Sequence, residues 1–460
     1  MPGFVLAAVV AAILFGLTGF YPPQSEDWIH LQIIAARPWQ DAFDLHVSHA
    51  RPLWYLGLWS MLPSGLEHPA LMRIPLFAMH GLIGGCVGVL ARQLGASPRR
   101  ALLAVALFLC FPAVKGLAWI LAISTPEHVL LMLIALIAAV AHARRPRALT
   151  GIALQVALAL AILSHSAACV LPACVALLAA AVSPKRWWVL FDPWLMLHGV
   201  LGVGLVVLLA SLPTAERYHS LRGLEAIAAN ASRALVSLVP EVVHGPAVEG
   251  LRGVYGTAGF AFGIGLCALT AALGLWLIWR ATPVGRALLL AAAIDLVPPI
   301  LTAGFVVRYA YFPAALLAVA LVLAAKPTKG WIAVLGLLAA GWFVDSVVDV
   351  AEVRRGGELV DAVVAAARTV RGESGPGVRI ALVDAPGTIG AERDVSVFNW
   401  GLAHALAWHG IGGPWLLLRT KAFVTNSDVE YVEEPRLAEL RGEGVAIWWW
   451  DDASAQFVHR

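Results

Sequence analysis

The sequence predicts an all-α polytopic membrane protein that ends in a small soluble α/β domain. Its 460 residues are 60% hydrophobic and only 13% charged, whereas soluble globular domains are about 25% charged. Apolar runs of about 15 to 20 residues, long enough for helices that cross a bilayer, recur as far as residue 348. From about Asp349 the chain becomes charged and glycine-rich, and it predicts strands at 378–383 and 445–450 and a helix at about 397–408. Because a backbone in lipid must satisfy its own hydrogen bonds, the apolar runs predict spanning helices.

The apolar runs predict about 11 spanning helices, since about 20 apolar residues cross a bilayer. They cover residues 4–20, 74–92, 101–119, 128–143, 149–164, 166–182, 193–210, 258–279, 287–306, 309–325 and 330–348. The first run has no Lys or Arg before it and no small-residue cleavage pattern after it, so we interpret it as a retained helix. Segment 52–66 is short and contains Pro63 and Gly65. It is either a twelfth span or a helix along the membrane interface.

Basic residues in the loops favour one orientation. If segment 52–66 does not cross, the basic turns all fall on one face, which the positive-inside rule makes cytoplasmic. These turns contain Arg92, Arg99, Arg100, Arg144, Arg145, Arg147, Lys185, Arg186, Arg280, Arg286, Lys326 and Lys329. The preferred organisation is therefore a membrane domain, 1–348, and a soluble extracytoplasmic domain, 349–460. The outer face then contains the loops 21–51 and 211–257 and the interfacial segment 52–66.

Composition and motifs exclude several classes of function. A net charge of +3 without a long basic run gives no support to nucleic-acid binding. The 5 cysteines lie inside apolar runs without a CxxC pair, so disulfides and zinc sites are not expected. The sequence also lacks the glycine-rich nucleotide-binding motifs, HExxH and GxSxG. The sequence therefore gives no support to nucleotide hydrolysis, to Rossmann cofactors or to zinc-protease chemistry.

Ionisable residues collect on the predicted outer face. They are Glu26, Asp27, His46, His49, Arg51, Glu127, His128, His165 and Arg308, with Tyr309 beside the last. Carboxylate, imidazole and guanidinium groups at one surface suit a site that takes a proton from a hydroxyl and holds a phosphate, because Arg pairs two hydrogen bonds with phosphate oxygens. Each of these residues also has a purely structural interpretation. It is a solvated loop for Glu26 and Asp27, snorkelling for Arg308, and a helix-end histidine for His165.

Two charged residues fall within predicted spans. Lys115 lies in 101–119, and Asp295 lies about halfway along 287–306. A charge at that depth must face protein or water, pair with an opposite charge, or be neutralised. For Asp295 the competing interpretation is a buried structural hydrogen bond.

A series of short motifs appears in a fixed order along residues 1–345. It comprises the acidic pair Glu26-Asp27, the string His49 to Leu53, His68 and His80, Phe111-Pro112, Glu127, and the string Arg308 to Pro313. In this order the motifs resemble the GT-C fold glycosyltransferases, most nearly the branch of protein O-mannosyltransferases and their bacterial relatives. The GT-C resemblance implies an integral enzyme, expected in the bacterial inner membrane with its C-terminal domain outside the cytoplasm.

The resemblance also implies a reaction and residue roles. A sugar would pass, with inversion, from a polyprenyl-phosphate carrier in the lipid to an acceptor that the sequence does not identify. Asp27 would be the catalytic base, with Glu26 beside it. The donor phosphate would be bound by Arg308, Lys115, Arg51 and Tyr309, and the site would be lined by His46, His49, Glu127, His128 and His165.

The sequence departs from the family pattern in two places. Lys115-Gly116 follow Phe111-Pro112 where His and Glu are usual, and Val307 replaces the acid often found before the Arg-Tyr pair. No metal ligand is therefore assigned, and a divalent cation is left open. Two other classes of function also stay open: a polar-lipid transporter or flippase that uses Lys115 and Asp295, and a non-catalytic assembly protein whose tail binds a partner.

Overall fold

A computed structural model describes most of the chain. It covers residues 2–23, 26–43, 51–65, 69–112, 116–117, 120–183, 186–210, 223–240, 256–301, 307–324, 329–375, 377–389, 395–398, 401–420 and 430–459. Helices fill the part before residue 375, and a small sheet follows. The predicted architecture, a helical polytopic region and a small C-terminal α/β domain, is confirmed.

The helices of the described residues are long in the first three quarters of the chain. They are α1 (Pro2–Thr18), α2 (Glu26–Ala35), α3 (Pro52–Gly65), α4 (Ile74–Gln93), α5 (Pro98–Cys110), α6 (Ser124–Arg144), α7 (Ala148–Ser164), α8 (Leu171–Val182), α9 (Pro193–Ala210), α10 (Leu224–Val236), α11 (Gly256–Arg280), α12 (Pro283–Leu301), α13 (Tyr311–Ala324), α14 (Lys329–Ser374), α15 (Leu402–Trp408) and α16 (Glu434–Gly442). Short 3₁₀ turns cover Trp39–Phe43, Pro69–Arg73, Ile120–Ile123, Ser166–Val170, Arg186–Phe191 and Val307–Ala310.

Each predicted span except 101–119 coincides with a helix over its described residues. By length and composition, 5 helices of the described residues can cross a membrane, and shorter apolar helices include α1, α7, α9 and α13. The predicted span 101–119 differs, because α5 ends at Cys110. Pro112 has no N–H and disfavours helical backbone in the residue before it, and Phe111 is extended at φ −62 and ψ 132.

Small residues let α1 and α4 approach closely. A Cβ atom added at Gly84 would lie 3.0 Å from the Ala7 Cβ, and one added at Gly81 would lie 3.4 Å from the Ala11 Cβ. Helices in lipid associate by this close packing, since lipid tails are as apolar as Leu side chains. The contact fixes α4 against α1 and with it the residues at the start of α4.

The bundle has two ends that differ in their polar residues. α1 stops and α2 begins at one of them, here called the α2 end. Arg73, just before α4, binds backbone carbonyls between residues 19 and 22, and the turn before α6 binds Asp27. α4 and α6 therefore begin at the α2 end, and their far ends carry Arg92 and Arg144. Sidedness in the membrane stays a prediction.

α3, which lies in the predicted interfacial segment 52–66, stays at the α2 end. It contacts α2, the turn Trp39–Phe43, the turn Pro69–Arg73 and the turn Ile120–Ile123. The chain leaves α3 and reaches Arg73 at the same end of the bundle. Whether the segment lies along a membrane interface is still a proposal.

α14 carries the C-terminal domain. The helix runs unbroken from Lys329 to Ser374, through the predicted domain boundary at 348/349, because no proline interrupts it. The composition change at Asp349 therefore marks where the helix surface becomes polar, and the fold changes only after residue 374.

The domain itself contains a mostly parallel sheet. Its strands are β1 (Ile380–Val383), β4 (Trp415–Arg419), β5 (Glu430–Tyr431), β6 (Ala446–Asp451) and β7 (Gln456–His459), in the order β5-β4-β1-β6-β7. β7 alone of these pairs antiparallel, with β6. β2 (Thr388–Ile389) and β3 (Val395–Ser396) form a separate pair.

The predicted elements of the domain appear with shifted bounds. The strands expected at 378–383 and 445–450 are β1 and β6. The helix expected at 397–408 is α15, which begins only at Leu402. The residue before it, Gly401, has a left-handed backbone with φ 80, which a right-handed helix does not contain.

Candidate functional site

Asp27 is buried at the junction of α2 and α6. Its side chain is 0% exposed, and its Oδ2 accepts a hydrogen bond from the Ile120 N–H at 3.3 Å. Ile120 opens the 3₁₀ turn that leads directly into α6. The carboxylate thus fixes the start of the helix that carries Glu127 and His128.

Arg73 is a charged residue of this region that the sequence analysis did not single out. It is 0% exposed. One terminal nitrogen donates to the Gly19 carbonyl at 3.3 Å and also to Tyr21, and the other donates to Pro22 at 2.9 Å. Asp27 is near enough for its charge to act favourably on Arg73. One sequence signal pointed to Arg73: it stands at the edge of an apolar run. Ionisable residues within spans are functional candidates by default.

α2 also binds the C-terminal domain. Trp28 belongs to the hydrophobic core that α14 and the sheet form, and its ring lies 5.9 Å from Trp408 and 5.3 Å from His409. Gln32 donates through Nε2 to the His404 carbonyl at 2.7 Å, and its Oε1 lies 2.7 Å from the His404 Nδ1. The helix that carries Asp27 therefore packs between the bundle and the C-terminal domain.

Glu127 lies in the first turn of α6 and meets the end of α7. Its Oε2 accepts a hydrogen bond from the Ser164 hydroxyl at 2.7 Å. Ser164 is 0% exposed. A hydroxyl–carboxylate bond of this kind is short and strong, so it holds α6 and α7 together at the α2 end.

His128 and His165 form a stacked pair beside Glu127. Their ring centroids are 4.8 Å apart with 28° between the planes. The His128 Nδ1 lies 2.7 Å from the Ser124 carbonyl, which can only accept, so this nitrogen carries the proton. The His165 Nδ1 accepts the Ala167 N–H at 3.0 Å, so the proton of the neutral ring is on Nε2. These assignments follow from the hydrogen-bond partners.

Tyr309 and Arg51 complete the described part of the cluster. The Tyr309 ring is 6.4 Å from that of His165 at 67°. Arg51, immediately before α3, is near enough for its charge to act on His128. Residues from four separate parts of the sequence therefore meet at the α2 end.

Several predicted site residues lie outside the described residues. They are Lys115, His46 and His49, together with the side chains of Glu26 and Arg308. The backbone of Glu26 begins α2, and that of Arg308 lies in the 3₁₀ turn next to Tyr309. Their parts in the site stay predictions.

The described cluster offers both hydrogen-bond donors and acceptors. His165 can donate through Nε2, His128 can accept through Nε2, and Glu127 and Asp27 are carboxyl groups that can accept a proton. In the described part of the chain, no group of three or more His, Cys, Asp or Glu side chains could hold a metal ion.

Other buried polar residues lie deeper in the bundle. His80 bonds through Nδ1 to the Tyr311 hydroxyl and stacks on the Tyr311 ring at 5.8 Å. Asp295 is 5% exposed, and its Oδ1 has no hydrogen-bond partner among the described residues. Asp295 lies near Cys169, which follows His165 by one turn of chain. Neither His80 nor Asp295 joins the cluster around Glu127.

Comparisons with known proteins give a likeness in overall structure. No family model matches the sequence, and no curated protein matches it. The chain is similar to the crystal structure of ArnT from Cupriavidus metallidurans bound to undecaprenyl phosphate, with 13% identity and a TM-score of 0.49. The similarity covers 98% of this chain and 93% of that one. At this identity and TM-score, the likeness assigns neither residue roles nor an activity to this chain.

Proposed function

We propose that the protein transfers a sugar from a polyprenyl-phosphate donor to an acceptor at the outer face of the membrane. The observation that carries the proposal is that Asp27, bound to the turn before α6, lies at the same end of the bundle as the contacting residues Glu127, His128 and His165. Arg51 and Tyr309 lie beside them. Such a cluster combines proton acceptors with donors for phosphate oxygens, and a lipid donor reaches it from the bilayer without a nucleotide-binding domain.

The reaction is a single displacement at the sugar carbon. The acceptor oxygen attacks that carbon while its proton passes to the Asp27 carboxylate, and the bond from the carbon to the phosphate oxygen breaks. The electron pair leaves with the polyprenyl phosphate, whose new negative charge is stabilised by Arg308, Arg51 and the His165 Nε2–H. One displacement inverts the configuration of the sugar carbon.

Access to Asp27 requires a movement. Asp27 is 0% exposed, so an acceptor hydroxyl reaches its carboxylate only when the elements packed against α2 move apart. Closure over bound substrates would then exclude water, which would otherwise compete as the acceptor.

Substitution of Asp27 tests the proposed base. Membranes containing the wild-type protein or Asp27→Asn are supplied with radiolabelled polyprenyl-phosphate sugars, and label in the product is counted. We expect Asp27→Asn to lose about 10²–10⁴-fold in transfer, the contribution of a positioned general base. The control is Asp41→Asn, because Asp41 forms only a half-exposed pair with Arg37 at 3.7 Å. Undiminished transfer by Asp27→Asn would remove Asp27 as the base.

Substitution of Arg308 tests the proposed phosphate contact. Purified protein in nanodiscs is titrated with undecaprenyl phosphate as the probe. We expect Arg308→Gln to bind at least about tenfold more weakly, because a charge-assisted bond contributes about 1.5–3 kcal/mol. The control is Arg286→Gln, since Arg286 binds the carbonyls of Ala281 and Trp279 at the opposite end of the bundle. Equal binding by wild type and Arg308→Gln would contradict the assignment.

The proposal places the α2 end and the C-terminal domain outside the cytoplasm of a bacterial inner membrane. Ser454 lies in the exposed turn between β6 and β7. We expect Ser454→Cys to react with a membrane-impermeant maleimide once the outer membrane is permeabilised, without lysis of the cell. Reaction only after lysis would place the domain in the cytoplasm.

A further inference from the structure

The end of the bundle opposite the α2 end carries exposed arginines beside exposed apolar side chains. α6 ends there at Arg144, and α7 begins four residues later at Ala148. The 3₁₀ turn Arg186–Phe191 comes just before α9. Exposed side chains of these segments form one surface, here called the basic rim, and its residues are Arg144, Arg145, Arg147, Leu149, Trp188 and Phe191.

One buried histidine joins the two segments of the basic rim. The His142 Nε2 lies 2.9 Å from the Asp192 Oδ1, and its Nδ1 lies 2.9 Å from the Thr150 Oγ1. Asp192 directly follows the 3₁₀ turn, and its Oδ1 also accepts the Trp194 N–H at 3.0 Å. The Thr150 hydroxyl donates to the Arg147 carbonyl at 2.8 Å. The turn between α6 and α7 and the turn before α9 are therefore bound to one imidazole and lie side by side.

The positive charge of the basic rim is not neutralised by described residues. Within the described part of the chain, Arg144, Arg145 and Arg147 form no ion pair. Asp192 is the acid of these two segments, and it is already bonded to His142 and to a backbone N–H. An exposed guanidinium without an acidic partner fits a phosphate group, because it can donate two parallel hydrogen bonds to phosphate oxygens.

The apolar residues of the basic rim fit the acyl side of a membrane interface. Leu149, Trp188 and Phe191 are 77%, 75% and 66% exposed, and the Trp188 and Phe191 rings are 5.7 Å apart. Exposed apolar patches mark membrane or partner contacts, and Trp is enriched where a bilayer meets water. α7 and α9, which begin at the rim, are apolar helices. The rim therefore lies where lipid headgroups meet acyl chains.

We propose that the basic rim binds an anionic phospholipid of the membrane. Its phosphate group lies on the arginines, and its acyl chains lie on Leu149, Trp188 and Phe191. Basic residues beside spanning helices attract anionic headgroups, whereas a zwitterionic headgroup carries a cation that the arginines repel. Because the rim and the α2 end are at opposite ends of the bundle, this lipid is separate from the sugar donor, and the proposal does not depend on sugar transfer.

Quenching of Trp188 by brominated lipids tests the proposal on the full-length protein. Phosphatidylcholine vesicles containing the protein receive increasing fractions of brominated phosphatidylglycerol, which is anionic, or of brominated phosphatidylcholine, which is zwitterionic. Bromine quenches a tryptophan only at close contact. Because the protein has 18 Trp, each protein is measured with and without Trp188→Phe, and the difference is the emission of Trp188.

We compare the wild type with Arg145→Gln/Arg147→Gln. The matched control is Arg99→Gln/Arg100→Gln, which removes two charges from the turn between α4 and α5 at the same end of the bundle. Each arginine near an anionic surface strengthens binding by about fivefold. We therefore expect the wild type and the control to prefer phosphatidylglycerol over phosphatidylcholine by at least about tenfold, and Arg145→Gln/Arg147→Gln to lose at least about tenfold of this preference.

Salt gives a second measurement that needs no arginine variant. The wild-type preference should weaken between about 0.1 M and about 1 M salt, because the screening length falls from about 10 Å to about 3 Å.

Three outcomes would overturn the proposal. The first is equal quenching of wild-type Trp188 by the two lipids, and the second is a preference that Arg145→Gln/Arg147→Gln retains in full. The third is an equal loss in the control, which would assign the preference to the overall charge of this end of the bundle. The first outcome needs only the wild type and Trp188→Phe, so it decides even if the arginine variant does not fold.

Discussion

The ring of His165 stacks on that of His128 with the centroids 4.8 Å apart, and their backbone partners give the two rings opposite tautomers. His128 donates through Nδ1 to Ser124, whereas His165 accepts through Nδ1 from Ala167. The pair therefore presents one Nε2 acceptor and one Nε2–H donor. In the proposed reaction, an acceptor hydroxyl and a phosphate oxygen would use these two complementary groups.

His165→Asn separates the structural role of His165 from its proposed donor role. An Asn side chain can still accept the Ala167 N–H as an N-cap, so we expect the stability of the fold to be kept. It lacks the ring that faces His128, so we expect sugar transfer and undecaprenyl phosphate binding to fall. Thermal unfolding and a transfer assay measure the two effects.

His165→Ala is the matched comparison, since it removes both the cap and the ring. Loss of the cap should lower the free energy of unfolding by about 0.5–2 kcal/mol. Full transfer by His165→Asn would show that the ring is only a structural cap.

The sequence was sufficient to predict the spanning helices and the grouping of the described site residues at one end of the bundle. Lipid imposes long apolar helices on any spanning chain, so hydropathy alone indicates α4, α6 and α12. Short turns between such helices can reach only one face, which is why His128 and His165 could be grouped before their contact was known.

The contacts within the site could not be predicted in the same way. Arg73 stands at the edge of an apolar run, where snorkelling is the common interpretation, and nothing local shows that it folds back onto the corner after α1. The tautomers of His128 and His165 depend on backbone partners in the folded turns. The length of α14 was missed because polar composition ends a hydropathy signal without ending a helix.

Gly357→Ala should destabilise the junction of α14 with the corner between α1 and α2. The added Cβ would lie 2.6 Å from the Tyr21 Cβ, and relief of such a clash in a packed region costs about 1–3 kcal/mol. We expect a lower free energy of unfolding and faster hydrogen exchange in α2, because the same corner is held by Arg73. Thermal unfolding and hydrogen exchange measure both.

Gly372→Ala is the matched control on the same helix. Nothing lies within 4 Å of the Cβ position at Gly372, so Ala should raise helix stability by about 0.5–1 kcal/mol. Equal effects of the two substitutions would show that Gly357 does not pack closely on Tyr21.

Asp295→Asn distinguishes sugar transfer from polar-lipid transport. Asp295 lies outside the cluster around Glu127, and its Oδ1 has no hydrogen-bond partner among the described residues. A transferase that works at the α2 end does not need its charge, so we expect transfer to be unchanged. A flippase that moves a headgroup past an intramembrane charge would lose transport.

The measurement pairs a transfer assay with a fluorescent-lipid flipping assay in the same vesicles. Transfer lost in a folded Asp295→Asn protein, with flipping lost alongside it, would favour the transport alternative. Thermal unfolding of the variant establishes that the protein is folded.

Acid should loosen the contact between the C-terminal domain and α2. Partial burial and the nearby Arg368 lower the pKa of His409, and Asp361 opposes them. His409 lies 5.3 Å from Trp28, so its neutral ring is part of the contact. Because the folded-state pKa is below the unfolded value of about 6.5, the unfolded state binds more protons as the pH falls through that value. The stabilisation is therefore complete above about pH 6.5 and declines below it, until folded His409 is protonated as well.

Hydrogen exchange of the α15 backbone amides, followed from about pH 7.5 to about pH 5 and corrected for intrinsic rates, measures this loosening. We expect protection of α15 to fall with pH in the wild type and to change less in His409→Asn, which cannot take up the proton. His459→Asn is the control, because His459 lies on β7 against Trp448 and away from α2. An equal loss of protection in His409→Asn and the wild type would assign the acid response to another group.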